Sequence, residues 1–179
     1  ASQHSQSFAS YWAHVPGLKV VAPSSPADAY GLLKSAIRDD DPVVVLEAEM
    51  MYSWSGEVSD GEHLVPIGLA DVRRPGTDIS LITFSKPIKA CLEAADMLEK
   101  LGVSAEVVDL RSLRPLDMDT VLKSVAKTNR AVVVDEAWPV ACVGSHVAWR
   151  ISREAFDRLD APVELVASED VPMPYNHTL

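Results

Sequence analysis

Cysteine is almost missing from this chain: among 179 residues only Cys91 and Cys142 carry a thiol. Neither falls in a metal-ligand spacing, and two isolated thiols suggest a reducing compartment in which both stay free. Glycine is also scarce. None of the eight glycines forms GxGxxG, a phosphate-cradling loop ending in Lys-Ser/Thr, or a GxSxG elbow. Those absences count against a nucleotide site of either glycine-rich type and against an elbow-type serine hydrolase. Basic residues are outnumbered, 16 against 26 acidic, for a net charge of −10. That sign repels phosphate backbones and anionic lipid, and the Lys and Arg are scattered, so no nucleic acid and no membrane is expected as a partner. No apolar run approaches the roughly 20 residues of a membrane helix. The opening Ala1-Ser2-Gln3-His4 lacks the basic and apolar regions of a signal peptide, and it lacks an initiating Met. The chain therefore reads as a piece of something longer.

What is present is alternation. Leu18 to Ala22 reads as a strand; Ser25 offers an N-cap, with Pro26 at the first helical position and Asp28 in the first turn. Ala29, Leu32, Leu33, Ala36 and Ile37 follow at helical spacing until Pro42, and Val43 to Leu46 is a β-branched strand. This is one βαβ unit. Residues 48 to 78 hold no sustained period and read as a connection with a short strand near Ile67 to Val72. Strands are then expected at Ile79–Phe84, Ala105–Leu110, Arg130–Asp135 and Val163–Ala167, with helices at Pro87–Leu101, Asp117–Ala126 and Gly144–Leu159. Such a series implies an α/β fold, a three-layer, mainly parallel sheet covered by helices on both faces.

Five histidines, His4, His14, His63, His146 and His177, are candidates for chemistry. His146 falls within the last helix, His63 in an acidic linker and His177 near the chain end, so structural or solvated roles suit them. His4 stands apart, set among Gln3, Ser5 and Gln6 just before Phe8, Tyr11 and Trp12. An imidazole there could protonate a developing anion, although residue types alone favour an ordinary loop or helix-start histidine. Asp39-Asp40-Asp41 ends the first helix, where carboxylates oppose the macrodipole. A cation held by last-turn carbonyls and a carboxylate would relieve that mismatch; a solvated acidic turn is the plainer account. Glu47, Glu49, Met50, Met51 and Tyr52 follow a strand's carboxyl end, a place for ligands, but their composition favours a protein interface.

Taken in order, Gln3-His4-Ser5-Gln6-Ser7-Phe8, Pro16-Gly17-Leu18-Lys19-Val20-Val21, Ala36-Ile37-Arg38-Asp39, Pro42 to Glu47 and Asp109 to Asp117 resemble successive signatures of the beta subunits of 2-oxo acid dehydrogenases. The resemblance runs from the first residue to the last. Within that family, Glu47 to Tyr52 and Val171 to Tyr175 resemble members acting on pyruvate more than those acting on branched-chain oxo acids. It implies a division near residue 66. Residues 1–66 would be the back half of a domain that binds the aminopyrimidine of thiamine diphosphate, and 67–179 a transketolase C-terminal domain used for assembly.

The resemblance further implies an alpha subunit and a second beta subunit as partners, and docking onto a dihydrolipoyl acyltransferase core with its lipoyl domain. Thiamine diphosphate and magnesium would be the cofactors, most of their ligands lying outside this chain. The glutamate that activates the cofactor would precede residue 1, and a closing helix would follow Leu179. His4 matches the family's active-site histidine, which serves acyl transfer as proton donor or anion stabiliser. Ala36, Ile37, Asp39 and Asp41 match a potassium site, with Asp41 where Asn is common. A mitochondrial matrix or a bacterial cytoplasm would be the setting. The rival accounts are a branched-chain member, another thiamine enzyme such as a transketolase-like synthase, and a non-catalytic docking or dimerisation module.

Overall fold

The computed structural model describes residues 4–174 and 176, so His177, Tyr175 and Gln3 lie outside the described residues. After the short helix α1 (Ala9–Ala13) comes strand β1 (Lys19–Val21), then α2 (Pro26–Ile37) and β2 (Val43–Val45). β1 and β2 run parallel, in register from Lys19↔Val43 to Val21↔Val45. The start of α2 forms as its sequence dictates: Ser25 Oγ accepts from Asp28 N at 3.1 Å and Pro26 needs no donor partner. Gly31 lets the returning chain lie directly on this helix, since a Cβ there would meet Val65 Cγ2 at 2.6 Å.

The second sheet begins with β3 (Asp71–Arg74), β4 (Ile79–Thr83) and β5 (Ala105–Asp109). A short strand, β6 (Ser112–Arg114), then leaves it to pair antiparallel with β1, and β7 (Ala131–Val134) and β8 (Glu164–Val166) return. The order is β3-β5-β4-β7-β8, parallel apart from the antiparallel edge β3. Three helices cover it: α3 (Pro87–Lys100), α4 (Met118–Thr128) and α5 (Val143–Glu154).

The period of two along each strand separates the faces. Leu81 and Val107 point to the α3 side and pack with Ile88, Cys91 and Ala95. Ile82, Val108 and Val133 point the other way, against Val121 and Val125 of α4 and Val147 and Ile151 of α5. The three layers read from the sequence are therefore present. This second cluster also takes in Val20, Ala22 and Leu113, so one core runs beneath both sheets.

Several expectations need correction. α1 and β6 have no period long enough to show in the sequence; both exist because they cover or extend β1. The short strand expected near Ile67–Val72 falls at Asp71–Arg74, and Glu49–Met51 forms a single 3-10 turn. The last helix stops at Glu154, and Phe156–Arg158 is a separate 3-10 turn. His63 is half-buried, not solvated: its ring stacks on Tyr30 with centroids 6.4 Å apart.

Candidate functional site

The chain crosses to one side of β4 to make β5 and to the other to make β7, so the carboxyl ends of β4 and β7 diverge into a crevice. The ends of β1 and β2 open onto the same space. The result is a cavity of about 420 Å³. His4, Phe8 and Trp12 form one wall; Ala22 and Leu46, just beyond β1 and β2, form the floor. The second sheet contributes Phe84, Ser85 and Lys86 after β4 and Glu136 after β7. His4 is thus placed at a strand-end cavity although it lies far in sequence from most of the lining.

Its surroundings are aromatic and acidic. Glu47 and Glu49 lie on the lip, and the Tyr52 hydroxyl donates to Glu47 Oε2 at 2.7 Å, which pushes the phenol's pKa up. Met50 and Tyr52 are 74% and 69% exposed, as a contact surface would require. Lys86 supplies a positive charge, and it is already paired with the Glu136 carboxylate. Ser85 sits at φ +58, a conformation unusual for a side-chain-bearing residue, and its Oγ lies 3.9 Å from Met51 Sδ. Lys86 and Glu136 were not singled out by sequence. Their signal is positional, each lying within three residues of a parallel strand's carboxyl end.

The acidic helix end has a second occupant. Lys19 Nζ lies 2.7 Å from Asp39 Oδ1 and 3.0 Å from Asp41 Oδ2. The bond from Lys19 holds the Asp39 carboxyl below its usual pKa, and the two carboxylates raise the lysine. Ala36 O accepts from Asp39 N at 3.3 Å, closing the last turn. The donors at Ala36, Ile37, Asp39 and Asp41 are oxygen, which suits a hard cation in type, but the lysine meets their charge from within the chain. His146 is exposed and stacks on Trp149, as a surface histidine does.

Cys142 is buried at the start of α5, where its sulfur accepts from Ser145 N, and burial raises both its pKa and that of Cys91, the latter to about 11. Neither is a ready nucleophile.

This fold and its strand-end cavity define a class, and the chain belongs to the transketolase C-terminal domain family, whose description "Transketolase, C-terminal domain" matches residues 68–179. "Transketolase, pyrimidine binding domain" matches residues 1–54. Among curated proteins it is 50% identical over 182 residues to the mitochondrial pyruvate dehydrogenase E1 component subunit beta of Dictyostelium discoideum, covering 99% of this chain and 51% of that protein. The mitochondrial subunit beta-2 of Oryza sativa is 51% identical over 178 residues, covering 97% and 47%, and the subunit beta of Rickettsia felis is 47% identical over 175, covering 98% and 54%. A solved split-gene transketolase, an inactive beta4 tetramer, superimposes with a TM-score of 0.77 at 29% identity, over 90% of this chain and 52% of that one. The chain spans about half the length of the curated relatives it matches.

Proposed function

We propose that this chain is part of the beta subunit of a pyruvate dehydrogenase E1 component, which decarboxylates pyruvate and passes the acetyl group to a lipoyl arm. The observation that carries this is identity of about half the residues, over nearly the whole chain, to beta subunits of that enzyme. A boundary near residue 66 belongs to the same reading. Residues 1–66 are then the remaining half of a pyrimidine-binding domain and 67–179 the assembly domain. An alpha subunit, a second beta subunit, and the acyltransferase core with its lipoyl domain are the proposed partners. Related proteins carry mitochondrial labels or come from bacteria, which supports a matrix or bacterial cytoplasmic setting.

The cavity lining fits one wall of thiamine diphosphate: Phe8, Phe84 and Leu46 offer apolar surface to a ring, and His4 a polar edge. Its Lys86 is committed to Glu136, and no cluster of three His, Cys, Asp or Glu suited to a metal occurs among the described residues. The diphosphate and magnesium therefore fit better on the alpha subunit. When bound, the cofactor supplies the carbon nucleophile and electron sink that loss of carbon dioxide needs. His4 acts on the acceptor side. As the lipoyl disulfide opens, one sulfur takes the acyl group and the other leaves as a thiolate, and the imidazole donates the proton it requires. Phe8 and Trp12 give that side of the cavity an aromatic wall beside the imidazole.

Potassium at Ala36, Ile37, Asp39 and Asp41 remains a proposal that must compete with Lys19. It predicts a higher melting temperature in potassium chloride than in choline chloride at equal ionic strength, and equal values would sink it.

The test of function uses the full-length protein co-expressed with its alpha subunit. Pyruvate-dependent acetylation of lipoamide, requiring thiamine diphosphate and magnesium, is expected. Equal or faster turnover of branched-chain oxo acids would overturn the assignment.

A further inference from the structure

The two sheets meet at a buried ionic cluster whose residues do not line the His4 cavity. Asp109, at the end of β5, is 0% exposed. Its Oδ2 accepts from the hydroxyl of Ser24, from the loop after β1, and its Oδ1 accepts from Arg111 N at 3.1 Å. Asp28, in the first turn of α2 and 4% exposed, is held by Arg73 of β3 at 3.0 Å and by Arg111 at 3.3 Å. Arg73 Nη1 is also 3.9 Å from Asp109 Oδ2. Arg111 further ties the loop before β3 through Leu69 O at 3.2 Å and Ala70 O at 3.1 Å. Ser24 and Asp28 thus belong to the first sheet's side, and Arg73, Asp109 and Arg111 to the second.

We propose that this cluster is a proton-operated clasp between the two sheets, in which the acid form of Asp109 holds them together more tightly than its ionised form does. Two buried carboxylates, Asp28 and Asp109, compete for the Arg73 guanidinium, which lies nearer Asp28, and the Arg111 guanidinium goes to Asp28 while only its backbone N–H reaches Asp109. The groups facing Asp109 are Asp28 from α2, Asp71 and Arg73 from β3, Cys91 from α3, and Arg111 beside it. Arg73 is the cation nearest its carboxylate and stands at long range, whereas total burial penalises the charge. Burial accordingly pushes the Asp109 carboxyl up to about 7, against the opposing pull of the Ser24 bond.

The sign follows from linkage. An acid whose folded pKa is raised contributes stability that is complete below its unfolded value and lost as pH rises through the folded one. The junction therefore tightens on acidification through neutrality and loosens above it. Protons have a route, because Ser24, Asp28, Arg73 and Arg111 line an open crevice of about 600 Å³. The Ser24 hydroxyl stands between that crevice and Asp109. It donates to the carboxylate, and turns to accept from the acid.

The test uses the full-length protein assembled with its companion subunit, and does not depend on which oxo acid it uses. The wild type should lose about 3 °C or more of melting temperature between about pH 6 and 8.5. Asp109→Asn, which keeps the shape and removes the titration, should flatten that slope. Ser24→Ala removes a bond to the ionised form and should move the midpoint upward by about half a pH unit or more. Hydrogen exchange, corrected for intrinsic rate, should show residues 22–28 and 69–74 opening more readily at the alkaline end in the wild type. An unchanged slope in Asp109→Asn, or an unmoved midpoint in Ser24→Ala with no pH-dependent opening there, would overturn the clasp. If Asp109→Asn fails to assemble, Ser24→Ala and wild-type exchange decide the matter.

Discussion

His4 carries the catalytic proposal alone among the described residues, and its exposure makes it a clean target. Replacing it by Ala removes an exposed imidazole without opening a core cavity, so folding should be unchanged. In the full-length assembly His4→Ala should slow acetyl transfer to lipoamide by about 100-fold, within the range of a lost general acid. Cofactor affinity should stay within about threefold. Unchanged transfer would return His4 to the ordinary loop histidine its neighbours in sequence suggest. Lys19 gives a second residue-scale prediction. Because Asp39 has its pKa depressed by the Lys19 bond, the pair's contribution is present above the unfolded carboxyl value and lost as pH falls through the folded one. Lys19→Met should therefore lower the melting temperature at neutral pH and reduce its further loss below about pH 4, seen by calorimetry across that range.

At the scale of elements, caps and close approaches make sharper predictions than propensities do. Ser25→Ala removes the Oγ acceptor of the α2 N-cap and should cost about 1 kcal/mol, with faster hydrogen exchange confined to the first turns of α2. Gly76 sits where a Cβ would approach the Ala105 carbonyl carbon and Glu106 nitrogen to 2.2 Å. No side chain can flex to make room, so Gly76→Ala should cost about 3 kcal/mol or more by displacing β3 from β5. Only the first of these was legible beforehand. The Ser25-Pro26 start, the Asp117 cap that accepts from Thr120 N at 3.0 Å, and Gly102 after α3 are local rules acting on adjacent residues. β6 is different in kind. Three residues cannot display a period, and Ser112–Arg114 becomes a strand only because β1 offers it an edge. The same reason hid Lys86 and Glu136, whose pairing depends on β4 and β7 being neighbours.

For the molecule as a whole, the proposed division near residue 66 separates two sequence families more cleanly than it separates two cores. Val20 and Ala22 of the first sheet pack in one cluster with Leu110 and Leu113 of the second part, and among the described residues β6 takes its only pairing from β1. A chain beginning at residue 67 would leave Leu113 without that cover and β6 without a partner strand, while Arg73 and Arg111 would lose Asp28. Uncovering buried leucine costs about 2 kcal/mol per side chain, and stranding charges adds to it. Residues 67–179 should therefore melt well below the 179-residue chain, by about 8 °C or more on a domain of this size. Exchange should be fastest around β6 and slowest in β4 and β7, whose cover by α3, α4 and α5 stays intact. Equal melting temperatures would mean that residues 67–179 stand by themselves and that the junction serves the site alone. A large gap would instead tie the stability of the second sheet to the first, whose strand ends floor the His4 cavity.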